Sequence, residues 1–468
     1  MTNRTNDQAR WPSLGELWTF LGIALPTLAA LLVPMPAVDL AYHLRAGASI
    51  LAGEGIPAVD TWTFTAAGAP WLDQQWGAQV LLAGVFQVGG WTGLAILRAG
   101  LVALTFGLVL SALRAAWSLA SVRAGGSAIA SSSRTATLIV LGSFVVAAPA
   151  LALRPQLFAI LLFAATLLIL VQRAAHPRRL WLIPLIAVAW ANLHGSFPLV
   201  VVLVGLAWVD EVALLREPTP PGQPQRRLPE RLLGSTGLAL IGAISAIATL
   251  VTPFGIETWR YIENLARNPA ITSEVSEWRP PSPFDPAGLI FYVSLAIVIG
   301  VIAFRLRSDG RRPPARLLTP ILTVGLFAVL AVFTGRGLAW WALIAPVAMV
   351  KLQPGLRLQD VKVTGLPVIR ARTAREASMN EGRRNPLNAL VVVVLLFAAI
   401  ALLPVWRPLG PAGVPVATLI HAPQGIAMDL RKLASDRAAA QLPAPRAWNP
   451  QTWGSWLEWA VPEVQVAT

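Results

Sequence analysis

Asp39 and His43 stand four residues apart, a spacing that sets a carboxylate and an imidazole on one face of a helix. A second carboxylate, Asp60, follows the Gly-Glu-Gly-Ile-Pro break at 53–57. These groups suit proton transfer: a carboxylate can take a hydroxyl proton, and histidine can relay one, bind a phosphate or ligate a metal. Arg98, Arg154 and Arg336 supply the complementary chemistry, because the guanidinium fork matches two phosphate oxygens. Arg98 falls inside an apolar run, where a charge is costly and marks a candidate site. His194 sits in an Asn-Leu-His-Gly turn, and Glu277-Trp278 and Trp62 offer a further acid and aromatic faces for an acceptor or loop contact. Each also has a plainer role. Asp39 and Asp60 can cap a helix and a turn, His43 can be a polar face residue, and His194 can be a turn former. Arg154 can snorkel, Arg336 can anchor at an interface, Arg98 can hold a buried carbonyl, and Glu277 can be a solvated acid.

The elements that position these residues follow from composition. Of 468 residues, 55% are hydrophobic and 13% charged. Several apolar runs approach the ~20 residues that cross a hydrocarbon core of about 30 Å. The expected class is all-α and polytopic, since a chain in lipid must satisfy its backbone internally. The formal charge of +14 does not imply nucleic acid, because the basic residues cluster in loops between spans. The absence of cysteine excludes disulfides, thiolate metal sites and a cysteine nucleophile. No glycine-rich phosphate loop, serine triad or zinc spacing is present. The 19 tryptophans suit interfacial anchoring.

After a polar segment at 1–16, the spans fall near 17–36, 91–117, 135–153, 156–172, 180–193, 197–215, 233–252, 287–304, 317–333, 338–350 and 388–405. The first reads as a retained span rather than a cleaved leader, with Pro26 kinking it or accommodated by its neighbours. Residues 77–90 are apolar but short, and charge parity decides their place. If they lie flat, the basic loops at 173–179, 216–232, 305–316 and 351–384 share the side of the amino terminus; if they cross, those loops face out. The positive-inside rule favours the flat helix and about eleven spans.

The opposite side then gathers the loop 37–90, Arg154, the His194 turn, the loop 253–286, Arg336 and the segment 406–468. The first loop reads as a short helix, a turn, a small β-ribbon over Thr61–Thr65 and a second helix. Residues 255–268 carry Ile256, Trp259, Ile262 and Leu265 at helical spacing with Arg260, Glu263 and Arg267 between them, an amphipathic interfacial helix. Loops 216–232 and 351–386 read as linkers, and the Trp-rich end as an incomplete extracytoplasmic α/β segment.

The motifs Asp39-Leu-Ala-Tyr-His43-Leu, Ile56-Pro-Ala-Val-Asp60-Thr-Trp-Thr-Phe-Thr, Arg154-Pro-Gln-Leu-Phe, Ala191-Asn-Leu-His194-Gly-Ser-Phe and Glu277-Trp278 resemble a bacterial branch of the GT-C superfamily, integral-membrane glycosyltransferases that use polyprenyl-phosphate-linked sugars. The resemblance runs over about 15–465. It implies a GT-C fold over 17–405 and an inverting transfer from the lipid phosphate to an acceptor. It places the enzyme in the bacterial cytoplasmic membrane, with the amino terminus cytoplasmic and the carboxyl end extracytoplasmic. Asp39 matches the family's first-loop Asp, a base or a ligand to a divalent cation such as Mg or Mn, with His43 beside it as a second candidate ligand. Many relatives carry a second acid directly after that Asp; here Leu40 stands there. The implied partners are the polyprenyl-phosphate sugar and membrane lipid, with the acceptor unspecified. Two other readings fit the same sequence: a transporter or flippase of a lipid-linked substrate, and a non-catalytic binding protein of the same fold.

Overall fold

The structure is a computed structural model, and it describes residues 11–123, 132–215, 228–269, 275–308, 317–352 and 381–467. Among them are fifteen α-helices and four two-residue strands. Helix α1 (Leu14–Leu32) opens on a capping box, in which Ser13 and Glu16 satisfy each other's backbone N–H groups, and buries Pro26 against its neighbours. It leads through β1 (Met35–Pro36) to α2 (Leu40–Leu51). Helix α3 (Trp76–Arg123) follows, and then α4 (Ser133–Ala147), α5 (Pro155–Val171), α6 (Leu182–Leu193), α7 (Pro198–Leu215) and α8 (Leu228–Ala248). The amphipathic segment is α9 (Glu257–Arg267). Helices α10 (Pro286–Ser308), α11 (Leu318–Phe333), α12 (Gly337–Leu352) and α13 (Pro386–Ala401) complete the apolar set. The carboxyl-terminal segment holds β2 (Leu419–Ile420), α14 (Gln424–Ala439), β3 (Arg446–Ala447), α15 (Gln451–Ala460) and β4 (Gln465–Val466).

A helix covers the greater part of every predicted apolar run. Among the described residues, four helices, α1, α3, α4 with the turn after it, and α10, are long and apolar enough to cross a membrane; α5, the 234–248 part of α8, α11, α12 and α13 are apolar but shorter. Residues 228–232, expected in a linker, already belong to α8; the rest of that linker, and 353–380 of the other, lie outside the described residues.

Helix α3 runs from 76 to 123 and is broken at Gly90, whose φ of 55° and ψ of −147° are open to glycine, at the boundary expected between the short helix at 77–90 and the span from 91. One sequence expectation changes. The β-ribbon is not a ladder. Residues 58–71 form a hairpin held by Asp60 N to Ala69 O, Gly68 N to Asp60 O and Trp71 N to Ala58 O, and Thr63 pairs sideways with Val466. The physical reason is Asp60, which turns the chain through its side chain and ends the extended run. The tail is tied to the rest of the chain. β2 pairs with β1, β4 with β3, both parallel, and Trp456 and Trp459 pack on Trp91.

Helix α2 lies tightly on the first part of α3. A Cβ built on Gly47 would stand 2.1 Å from the Gln79 carbonyl oxygen, so only glycine permits this approach. The same helix takes the tail on its other side: Tyr42 N–H donates to Ser455 Oγ at 2.9 Å, and Arg45 Nη1 donates to the Glu458 carbonyl at 2.8 Å.

The helices carry polar groups at opposite ends. Arg154 opens α5 and Arg336 directly precedes α12, whereas Arg173 follows α5 and Lys351 lies in the last turn of α12. Arg173 and Lys351 both reach Asp210 near the end of α7, at 2.7 and 3.1 Å. Seventeen residues of α5 separate Arg154 from this second cluster, about 25 Å at ~1.5 Å per residue.

Candidate functional site

Proline after Arg154 sets the site's first member. Pro155 occupies the first turn of α5 and disfavours helical backbone before it, so Arg154 is extended, at φ −156° and ψ 170°. Its guanidinium reaches Asp39 Oδ2 at 3.3 Å and Glu277 Oε1 at 2.5 Å. Glu277 is delivered by a short 3-10 turn, Ser276–Trp278, stitched to the turn before α12: Gly335 N–H donates to Arg279 O and Arg336 N–H to Glu277 O. That pairing sets Arg336 Nε 3.3 Å from Glu277 Oε2 and its guanidinium 4.8 Å from the Trp278 ring. Arg154, Glu277 and Arg336 share the wall of a cavity of about 400 Å³ with residues 279–282.

Asp39 precedes α2 in the capping position, yet its side chain caps nothing and its backbone is left-handed, with φ 66° and ψ −45°. The capping role is therefore excluded by geometry, and the carboxylate, 42% exposed, is turned to Arg154 instead. A non-glycine residue in this region is strained, and such strain gathers at functional sites. His43, one turn along α2, is buried, and burial with the nearby Arg154 lowers its pKa to about 3. His194 ends α6; burial first, then Arg336, Arg154 and His43, lower its pKa to about 3 as well. Both imidazoles are neutral at ordinary pH, so neither is a cationic phosphate ligand. His194 Nδ1 accepts from the Ser196 backbone N–H at 3.1 Å, which leaves Nε2 as the donor.

The structure thus brings Asp39, His43, Arg154, His194, Glu277, Trp278 and Arg336 into one neighbourhood. Three other candidates stand elsewhere. The Asp60 carboxylate is occupied by its own turn, accepting from the backbone N–H groups of Trp62 and Thr63 and from the Thr63 hydroxyl. Arg98 is buried and donates to the carbonyls of Leu151 at 3.1 Å and Val33 at 2.8 Å, tying α3 to two chain turns. Trp62 packs edge-on against Trp71, with the Arg45 guanidinium 4.4 Å from its ring centre, on the side of α2 that meets the tail.

A neighbouring group escaped the sequence reading. Asp73 is 3% exposed; Gln79 Nε2 donates to its Oδ1 at 2.7 Å, and Oδ2 has no protein partner. Burial raises its pKa to about 7. Its loop is fixed to the His194 turn, because Gln74 Nε2 donates to Ala191 O and Trp76 Nε1 to Asn192 Oδ1. Tyr42 and Tyr261 stand near Asp73, and burial together with neighbouring carboxylates raises both phenols. The signal was the polar run Asp73-Gln74-Gln75 at the mouth of an apolar helix. The apolar side of α9 covers the same turn: Trp259 packs edge-on to Phe197, and its indole donates to Thr249.

Among the described residues no three His, Asp or Glu group as a metal set. The carboxylates of the centre already lie on guanidiniums, and the imidazole nearest Asp39 is desolvated beside a fixed cation. Asp39 and His43 therefore do not make a fitting pair for Mg or Mn, and no step is routed through a metal. Compared with protein-family models and with curated proteins, the chain matches none.

Proposed function

We propose that the chain is a membrane glycosyltransferase with an eleven-span, GT-C-like arrangement, moving a sugar from a polyprenyl-phosphate donor to an acceptor on the extracytoplasmic face. One observation carries the reading: two guanidiniums from different helix ends, Arg154 and Arg336, meet the Glu277 carboxylate in the wall of one cavity, and Arg154 also reaches Asp39. Two cations held 3.3 Å or less from one carboxylate form a cradle that a phosphate can enter by displacing Glu277.

In this mechanism Asp39 takes the proton of the acceptor hydroxyl as its oxygen attacks the anomeric carbon. The bond from that carbon to the phosphate oxygen breaks, and its electron pair leaves with the lipid phosphate. The developing charge faces Arg154 and Arg336. A single displacement inverts the anomeric centre. His194 contributes a neutral N–H donor, and α2 and α9 exclude water. A transporter would place paired polar groups at mid-depth in several spans. Here the ion pairs of the bundle sit at helix ends, and buried Arg98 is held by backbone carbonyls.

The test uses the purified full chain, with Asp39→Asn and Arg336→Ala assayed against a panel of polyprenyl-phosphate sugars. Removing a positioned base costs about 10²–10⁴-fold in rate, so Asp39→Asn is expected to lose at least 100-fold. Arg336→Ala is expected to weaken polyprenyl-phosphate binding as well. Parent-level transfer by both folded variants defeats the assignment.

A further inference from the structure

A second, larger cleft lies on the other side of α2. His43 and Arg45 are two residues apart, so their side chains leave the helix on opposite faces. His43 turns to the arginine–carboxylate centre, and Arg45 turns to the carboxyl-terminal segment. Between Arg45, Thr61 and Trp62, and that segment is a cavity of about 820 Å³, within the range of roughly 300–1,000 Å³ typical of small-ligand sites. Its wall holds Arg45, Trp62, Arg437, Arg446, Glu463 and Gln465.

Each of the three guanidiniums is held by at least one contact. Arg45 stacks on Trp62 at 4.4 Å and donates to the Glu458 carbonyl at 2.8 Å. Arg437 Nε donates to Pro443 O at 2.9 Å, and Arg446 Nε to Gln465 Oε1 at 3.3 Å while its guanidinium lies over Phe64 at 5.5 Å. A guanidinium has five N–H donors, and one bond fixes its plane without exhausting them. With one carboxylate against three guanidiniums, the lining carries an excess of positive charge. An indole face, forked donors and the acceptors of Glu463 and Gln465 suit a ligand that is rich in hydroxyls and also anionic.

We propose that this cleft binds an acidic oligosaccharide through its carboxylates and hydroxyls, at a site separate from the arginine–carboxylate centre. The binding claim does not depend on the transfer reaction; under that reading, the ligand is the acceptor glycan or an extension of it. The cleft also gives Trp62 and its flanking turn a role that the centre does not.

The experiment is isothermal calorimetry on the full chain in lipid nanodiscs at low salt, with tetragalacturonic acid as probe and neutral cellotetraose as control. The parent is expected to bind the acidic probe at least tenfold more tightly than the neutral one. Arg437→Ala with Arg446→Ala, both near the surface, is expected to weaken the acidic probe at least tenfold. The pair Arg437→Gln with Arg446→Gln keeps the aliphatic stem and a polar end but removes the charge, and is expected to do the same. Arg336→Ala, in the other site, is expected to leave this binding intact. The proposal falls if the parent fails to bind the acidic probe, if the neutral probe binds equally, or if the Gln pair binds like the parent. It falls equally if Arg336→Ala abolishes binding, because the probe then occupies the centre.

Discussion

Asp39 combines the two features that a residue kept for function shows: a strained backbone and a side chain that does nothing for the local fold. With φ at 66° and ψ at −45° it lies outside the regions open to most L residues. Such positions cost of order 1–3 kcal/mol. Asp39→Ala and Asp39→Gly both delete the carboxylate, but only glycine relaxes the backbone. The glycine variant is expected to be about 1 kcal/mol more stable than the alanine variant in thermal unfolding, with both inactive in transfer. Equal stability of the two means that the strain is not real. The titrating groups act in opposite senses. His43 and His194 fall to about 3 from 6.5, so the unfolded chain takes up their protons first and stability drops as pH falls below 6.5. Asp73 and Glu458 are raised to about 7 from 3.8 and 4.5, mainly by burial. The folded chain holds those protons longer, so their contribution fades as pH climbs from about 4 through 7. In melting curves taken from pH 4.5 to 8, the stability of Asp73→Asn is expected to have a more positive slope against pH than that of the parent, because one group that loses its proton on unfolding is gone. An unchanged slope means that Asp73 is not the buried acid inferred here. The sequence held Asp39 and Asp60 as near equals. Only the fold separates them, because the partner that frees one lies 115 residues away at Arg154 and the partners that consume the other are its own neighbours.

Helix α2 is the element on which both proposed sites depend, since it presents Asp39 and His43 on one side and Arg45 on the other. Its position is set by the contact of Gly47 with the Gln79 backbone. Gly47→Ala forces a Cβ to 2.1 Å from a carbonyl oxygen and to 2.8 Å from the Ala83 Cβ. Overpacking of this kind costs about 1–3 kcal/mol, and the helix must shift to relieve it. The expected result is a lower melting temperature together with loss at both sites, whereas Gly84→Ala, where nothing stands within 4 Å, is expected to be neutral. The existence of the apolar helices was readable because hydropathy alone specifies them. The course of the first loop was less so. The shortness of 77–90 and charge parity set a boundary at 90 but not the geometry at Gly90, and the alternation at 61–65 suggested a ribbon, whereas the side-chain turn at Asp60 and the distant pairing of Thr63 with Val466 shape that stretch.

At the scale of the molecule, the two ends of the bundle differ in kind. One end is roofed by the first loop, α9 and the carboxyl-terminal segment, and the first loop is tied to that segment through Met35–Leu419, Tyr42–Ser455 and Phe64–Val466. The other gathers the start of α1, the start of α4 and the segment before α13, where Leu14 N–H donates to Arg383 O and Glu381 accepts from Ser133 N–H. Arg114, Arg134 and Arg384 stand at this second end, against the start of α1, in the sense that the positive-inside rule expects of a cytosolic face. The chain has no cysteine, so single reporters can be placed without a background. Ser435→Cys on exposed α14 and Arg383→Cys at the other end are both surface positions. In intact bacterial cells or spheroplasts expressing the chain, a membrane-impermeant maleimide is expected to label position 435 directly and position 383 only after permeabilisation. The reverse pattern would put the arginine–carboxylate centre on the cytosolic side and remove the extracytoplasmic acceptor from the mechanism. Equal labelling of both before permeabilisation would remove the membrane-spanning arrangement itself. The experiment therefore tests orientation separately from chemistry, since it reads where the two ends of the helices lie whether or not any sugar is transferred.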